Sequence, residues 1–156
     1  MSKANTNLFR EAVTKFFAPL AEQTGLTLSE LADGVYEIEG AKFAMRIRRG
    51  TGHRKDMLVT LLATEGRPTD LFDLSHEIGL GMVAEFRGER IEADQKDDLK
   101  EAENLAHAAQ KFLVPYLLGH RSDHAELTKF VEKRANEVSS EVPAYRFPKN
   151  VRKEWL

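Results

Sequence analysis

The 156-residue sequence contains no cysteine. This absence excludes disulfides, thiolate metal sites and cysteine nucleophiles, and it is typical of proteins in reducing compartments. Long hydrophobic runs are also missing, because the longest apolar stretches, Met57 to Ala63 and Phe112 to Leu118, are far shorter than the ~20 residues of a membrane-spanning helix. The first residues are polar and lack the apolar core of a secretory signal. We therefore expect a cytoplasmic protein that does not enter membranes.

An excess of basic residues is absent as well. The formal net charge is −2 at pH 7, from 23 Lys and Arg against 25 Asp and Glu. Because phosphate contacts generally need a basic excess, this balance disfavours a dedicated nucleic-acid-binding protein. The charges are nevertheless segregated, since residues 41–55 contain bases and no acid, whereas residues 85–103 contain eight acids and four bases. The chain therefore has one basic and one acidic segment.

What is present is the pattern of a folded α+β protein. Apolar residues recur at spacings of three and four between Asn7 and Thr24, which predicts an amphipathic helix. The spacing then changes to two, and Phe43, Met45 and Ile47 alternate with smaller or charged residues as in a half-buried strand. We predict strands over residues 35–39, around 43–48 and over 57–62, which form a three-stranded antiparallel meander. Later edge strands would extend it to four or five strands.

The first helix is expected to cover the sheet face that carries Phe43, Met45 and Ile47, so that Arg46 and Arg48 face solvent on the other side. Leu71, Leu74 and Ile78 follow at helical spacing and predict a short helix that ends at Gly79.

Two longer helices are predicted near the C-terminal end of the chain. The first begins near Asp94 and ends at Gly119, and the second begins at Ser122 or Asp123. Residues 141–156 have no helical or strand periodicity, so we predict a single α+β domain over 1–140 and an extended C-terminal arm over 141–156.

The loop from Arg49 to Lys55 is the first candidate site. Its two glycines allow backbone amides to approach an anion, while the neighbouring cationic side chains supply positive charge. The Walker lysine pattern is missing, and the loop joins two strands rather than a strand and a helix. Anion binding is therefore one interpretation of this segment, and a solvated hairpin loop is the other. The residues predicted to bind the anion are Arg46, Arg48, Arg49, His53, Arg54 and Lys55.

A second candidate is the junction of the two last helices, where His120, Asp123 and His124 are acceptable ligands for zinc or another divalent ion. The same junction is equally explained by Asp123 as a helix cap and two solvated histidines, so no metal or other cofactor is expected. The sequence has no Gly-Xaa-Ser-Xaa-Gly turn and no His-Glu-Xaa-Xaa-His helix. No catalytic residue is therefore predicted.

The C-terminal arm is the third candidate, because basic side chains lie among its aromatic ones. Such mixtures are favoured at protein interfaces, where Trp, Tyr and Arg supply much of the binding energy. The arm either folds over its own core or contacts a second subunit or partner. The predicted partner-binding residues are Tyr145, Phe147, Arg152 and Trp155.

Three functional hypotheses follow from these patterns. The first is a non-enzymatic protein-interaction module, associating with itself as a homodimer through the arm and a charged sheet face. The second is an anion- or nucleic-acid-binding protein using residues 42–55, and the third is an enzyme with a small-molecule pocket between the sheet and the long helix. The order of elements resembles, in layout and over about the first half of the chain, small bacterial secretion chaperones and toxin-immunity proteins, without a shared motif that would assign a family.

Overall fold

The N-terminal helix and a five-stranded antiparallel sheet form the first part of the chain, in a computed structural model that describes residues 3–49, 57–91 and 98–141. The strands follow one another in chain order across the sheet. The predicted α+β class is therefore confirmed. The elements are α1 (Lys3–Thr24), β1 (Leu28–Ala32), β2 (Val35–Glu39), β3 (Phe43–Arg49), β4 (Met57–Ala63), β5 (Ile78–Gly79), α2 (Leu80–Phe86), α3 (Asp98–Phe112), α4 (Val114–Leu117) and α5 (His124–Glu141).

Helices cover the sheet face that the alternation assigns to the core. Met45 and Ile47 of β3 are fully buried, as is Leu61 opposite Met45 on β4. Helix α1 contacts this face where Phe9 packs against Tyr36 of β2, with ring centroids 5.9 Å apart. Helix α4 contacts it where Tyr116 packs edge-on against Phe43, at 5.7 Å. The expectation that α1 covers this face is confirmed.

The opposite face of the sheet differs from the expectation. Arg46 and Arg48 are only 2% and 6% exposed, so the prediction that they face solvent is wrong. Every residue of β3 from Ala44 to Arg48 is buried, which means that both faces of this strand are covered. The alternation identified the side of each residue correctly, but it did not indicate that a loop covers the second side.

The prediction of a short helix within this loop is wrong. Residues 64–77, which we call the 64–77 loop, contain turns and no helix, and the short helix α2 begins only after Gly79. Asp70 and Asp73 accept hydrogen bonds from the backbone N–H groups of Phe72 and Ser75, at 2.9 and 3.0 Å. Side-chain oxygens of this kind compete with the helical backbone pattern and favour turns.

Two further differences have simple causes. The long helix predicted from Asp94 to Gly119 is two helices, α3 and α4, because Pro115 has no N–H to continue the α3 ladder. Strand β1 was not recognised because its central residues are exposed and a bulge lies between Glu30 and Ala32, as is common for an edge strand. Asp94, the predicted start of the long helix, lies outside the described residues.

Backbone contacts divide the chain into two units, Met1–Ser122 and Asp123–Leu156. The second unit contains α5, which begins next to Asp123 as the capping pattern predicts. The division into a domain over 1–140 and an arm over 141–156 stays a prediction, since residues 142–156 lie outside the described residues. Within the described parts of the chain, none of the helices has the length and apolar character needed to cross a membrane.

Candidate functional site

A row of directly opposed residues crosses the second face of the sheet. The register places Ser29, Glu37, Arg46, Thr60 and Gly79 side by side on five successive strands. Glu77 precedes Gly79 by two residues, so the alternation of the extended backbone directs its side chain to this same face. A charged pair from β2 and β3 therefore meets a carboxylate from the end of the 64–77 loop.

Glu77 binds two arginines and a hydroxyl. Arg48 donates from Nε to Oε1 at 3.0 Å and from Nη2 to Oε2 at 2.6 Å, which is a bidentate contact. Arg46 donates from Nη1 to Oε2 at 3.2 Å, and Thr60 donates from its hydroxyl to Oε1 at 2.7 Å. The Glu77 side chain is only 2% exposed. One buried carboxylate thus fixes the C-terminal end of the loop to β3 and β4.

Arg67 fixes the other end of the same loop to β2. It donates from Nη1 to Oε1 of Glu37 at 3.0 Å and forms an ion pair from Nη2 to Oε1 of Glu39 at 2.8 Å. Glu37 also accepts from Nε of Arg46 at 3.1 Å, which links the two ends through one network. We call this network the ionic cluster, and its members are Glu37, Glu39, Arg46, Arg48, Thr60, Arg67 and Glu77.

The ionic cluster has balanced charge, with three guanidinium groups and three carboxylates. Burial raises the pKa of Glu77, but hydrogen bonds from Arg48 and Thr60 and the positive charges of Arg48 and Arg46 outweigh it, so the pKa lies below its ordinary value. Glu77 is therefore ionised at neutral pH. Because each of the three carboxylates contacts at least one arginine, the arrangement is suited to fixing the loop rather than to acid–base chemistry.

The 64–77 loop presents an apolar side chain between its two fixed ends. Phe72 is 75% exposed, which makes it the most exposed large apolar residue in the described part of the chain, and Leu74 is also exposed. The turns at Asp70 and Asp73 flank Phe72, and backbone hydrogen bonds from Asp73 to Asp70 and from Glu77 to Leu74 close them. The backbone around Phe72 is thus defined by turns as well as by the ionic cluster.

Most of the exposed ionisable residues of the 64–77 loop are acidic. Asp70, Asp73 and Glu65 are exposed on the loop. Hydrogen bonds from the hydroxyl and the backbone of Ser75 hold the pKa of Asp73 below its usual value, so this carboxylate stays ionised. The only arginine of the loop, Arg67, already binds Glu37 and Glu39. The exposed surface of the loop therefore combines the apolar Phe72 with three carboxylates.

The predicted anion-binding residues have different surroundings. Arg46 and Arg48 are buried in the ionic cluster and bind carboxylates of the same chain. Arg49 lies at the end of β3, where its Nη2 is 3.8 Å from Oδ2 of Asp33. The remaining residues of this prediction, His53, Arg54 and Lys55, lie outside the described residues. The two arginines at the centre of that hypothesis thus already have anionic partners.

The metal candidates gain no further ligands among the residues that the structure describes. His120 is exposed at the end of the first unit, whereas Asp123 and His124 begin the second. Over residues 3–49, 57–91 and 98–141, no group of three or more His, Asp or Glu side chains could hold a metal ion. Burial lowers the pKa of His124 despite the opposing charge of Asp123. The predicted partner-binding residues Tyr145, Phe147, Arg152 and Trp155 lie outside the described residues.

Sequence reasoning missed Glu37, Glu77, Arg67 and Phe72. One signal was available for Glu37, because Glu37 and Glu39 alternate on β2 as Arg46 and Arg48 alternate on β3. Opposite charges on facing positions of neighbouring strands indicate cross-strand ion pairs. Glu77 and Arg67 had no such signal, since loop residues reach the sheet by a path that no periodicity encodes.

No protein-family model, no curated protein and no solved structure matches the chain.

Proposed function

We propose that this chain is a non-enzymatic protein-interaction module that associates with itself, and that the 64–77 loop supplies a contact surface. The observation that carries the proposal is Phe72, which is three-quarters exposed on a loop that the ionic cluster fixes at both ends. Single exposed apolar residues are common on protein surfaces. What favours a binding role for Phe72 is its fixed presentation next to a second exposed apolar residue, Leu74.

A fixed loop lowers the cost of binding. Association loses conformational freedom wherever side chains and loops become ordered at the interface. The turns at Asp70 and Asp73 and the contacts of Arg67 and Glu77 already order this loop in the single chain. Burial of a Phe side chain contributes about 1.5–3 kcal/mol, and more of that free energy remains as affinity when the loop is already ordered.

The charge around Phe72 favours a protein partner. Asp70, Asp73 and Glu65 would repel the phosphates of nucleic acids and of anionic membranes. A protein surface that combines an apolar pocket with Lys or Arg at its rim has the complementary character. Aromatic anchors in such pockets commonly supply a large share of the binding free energy.

The test is the self-association of the full chain, measured by sedimentation equilibrium over a range of concentrations. We expect reversible association that Phe72→Ser weakens at least tenfold, because truncating a central aromatic contact costs about 2 kcal/mol or more. The matched control is Leu8→Ser, since Leu8 is also an exposed apolar residue, at 54%, but lies on α1. This control should change the dissociation constant by less than about twofold.

Two results would contradict the proposal. One is a chain of monomer mass even at about 1 mM, where a weak complex is populated. The other is an equal effect of Phe72→Ser and Leu8→Ser. Thermal unfolding of both variants serves as a check, because an exposed residue should change the stability by no more than about 0.5 kcal/mol.

A further inference from the structure

We infer that the occupant of the Phe72 surface is the C-terminal segment, residues 142–156, of a second copy of this chain. The inference rests on the proposed function, because it names the partner of the same loop.

Charge is the first argument. The exposed acids of the loop are Asp70, Asp73 and Glu65, and its arginine is already bound within the ionic cluster. The C-terminal segment has one acid, Glu154, against four bases, which are Arg146, Lys149, Arg152 and Lys153. Opposite net charges on the two surfaces favour their encounter and disfavour contact of like surfaces, such as loop against loop.

Apolar character is the second argument. Phe72 and Leu74 are both exposed and lie two positions apart in the loop, so a partner for this surface needs an apolar counterpart. The C-terminal segment supplies aromatic groups between its bases, at Tyr145, Phe147 and Trp155. Aromatic pairs add about 0.5–1.5 kcal/mol to the free energy of simple area burial. The segment thus offers the same combination, aromatic and basic, that the loop surface requires.

Size and symmetry are the third argument. Residues 64–77 and 142–156 together amount to 29 residues per chain, and each partner contributes about 20–30 residues to an interface of ordinary size. If each copy offers its segment to the loop of the other, the contact is made twice around a two-fold axis and the assembly closes as a dimer. Each loop and each segment then has a partner without a third chain, so the expected species is a dimer.

The experiment uses the full chain and a synthetic peptide with the sequence of residues 142–156. Excess peptide is added to the associated chain and the mass is followed by light scattering. We expect the dimer to convert to single chains with one peptide each, because the peptide competes for the loop. A peptide with Arg146, Lys149, Arg152 and Lys153 replaced by Gln should compete at least tenfold less well, and higher salt should reduce the difference.

Controls separate this inference from the proposed function. The Phe72→Ser chain should bind the labelled peptide at least tenfold more weakly, whereas Leu8→Ser should bind it as the original chain does. Two outcomes would overturn the inference when association still depends on Phe72. One is a dimer that persists in excess peptide, and the other is a peptide that binds the Phe72→Ser chain with unchanged affinity. A chain that never associates would instead overturn the proposed function itself.

Discussion

The two faces of the sheet are both covered, but by different means. On one face, Met45, Ile47 and Leu61 are fully buried beneath α1, α4 and their neighbours. On the other, the 64–77 loop covers Arg46 and Arg48 through Glu77 and the rest of the ionic cluster. The first face is stabilised by removing apolar surface from water, and the second by charged hydrogen bonds with defined directions.

This difference bears on what each face can do. Apolar packing stabilises a range of arrangements of similar volume, so it covers the core without requiring one geometry at every residue. A buried carboxylate between two guanidinium groups is stable only when its oxygens are correctly placed, because an unpaired buried charge costs several kcal/mol. The ionic face therefore fixes the position of the loop, and with it the position of Phe72.

The largest expected effect comes from Glu77→Ala. The substitution leaves Arg46 and Arg48 buried without the carboxylate that they share, so we expect the free energy of unfolding to fall by about 3–5 kcal/mol. Chemical denaturation measures this change. The matched control is Glu39→Ala at the exposed rim of the ionic cluster, which should cost about 0–1 kcal/mol. Equal losses in the two variants would mean that burial does not distinguish the two glutamates.

The next largest difference in the free energy of unfolding is expected between conservative substitutions on the two faces. Arg48→Lys keeps the charge but removes the bidentate contact with Glu77, and the loss of one charged hydrogen bond should cost about 1.5–3 kcal/mol. Leu61→Met on the apolar face nearly conserves volume and should cost less than about 1.5 kcal/mol. Denaturation of both variants tests the comparison directly. If Leu61→Met is the more damaging, the contrast between the faces is wrong.

The apolar side should be sensitive to shape instead of charge, which Gly40→Ala tests. A Cβ at Gly40 would overlap the backbone oxygen of Leu117 in α4, so the turn and the helix would have to separate. We expect a loss of about 1–3 kcal/mol, the usual range for overpacking. Gly79→Ala is the control, because a Cβ there meets no atom within 4 Å. Equal stability of the two variants in thermal unfolding would contradict the close approach of Gly40 to the backbone of Leu117.

The smallest effect is a difference in pH dependence. The folded-state pKa of Glu77 is depressed, so its stabilising contribution is present above the unfolded-state pKa, near 4.5, and is lost as the pH falls through the folded-state pKa. We therefore expect Glu77→Gln to flatten the acid side of the stability profile, while Leu61→Met leaves its slope unchanged. Urea denaturation between about pH 3 and 7 measures both slopes. Parallel profiles for the original chain and Glu77→Gln would contradict a depressed pKa.

The sequence predicted the apolar face better than the ionic one. Alternation at Phe43, Met45 and Ile47 is a local pattern, and it correctly indicated the strand, its buried side and the helix that covers it. The helix break at Pro115 and the turns at Asp70 and Asp73 also have local causes in the sequence. The helical spacing of apolar residues nearby nevertheless predicted a continuous helix at both places. Local patterns thus specified the elements more reliably than their ends.

The candidate site was largely unpredictable because it depends on contacts between distant residues. Arg48 and Glu77 are 29 positions apart, and so are neighbours only after β4 and the loop have folded. Phe72 occupied one position of a predicted helix, and its exposure follows from the path of the loop rather than from its own chemistry. Pairs of opposite charge on β2 and β3 were the one signal that could have indicated a covered charged face.

Hydrogen exchange of the 64–77 loop tests the central claim, which is that the ionic cluster fixes the surface presenting Phe72. The amides of Asp73 and Glu77, which donate to Asp70 and Leu74, are the reporters, and the amides of β3 and β4 in the same sample are the reference. We predict that Glu77→Gln accelerates exchange at the reporters at least tenfold more than at the reference amides. Equally fast exchange of the loop in the original chain and in Glu77→Gln would contradict the account.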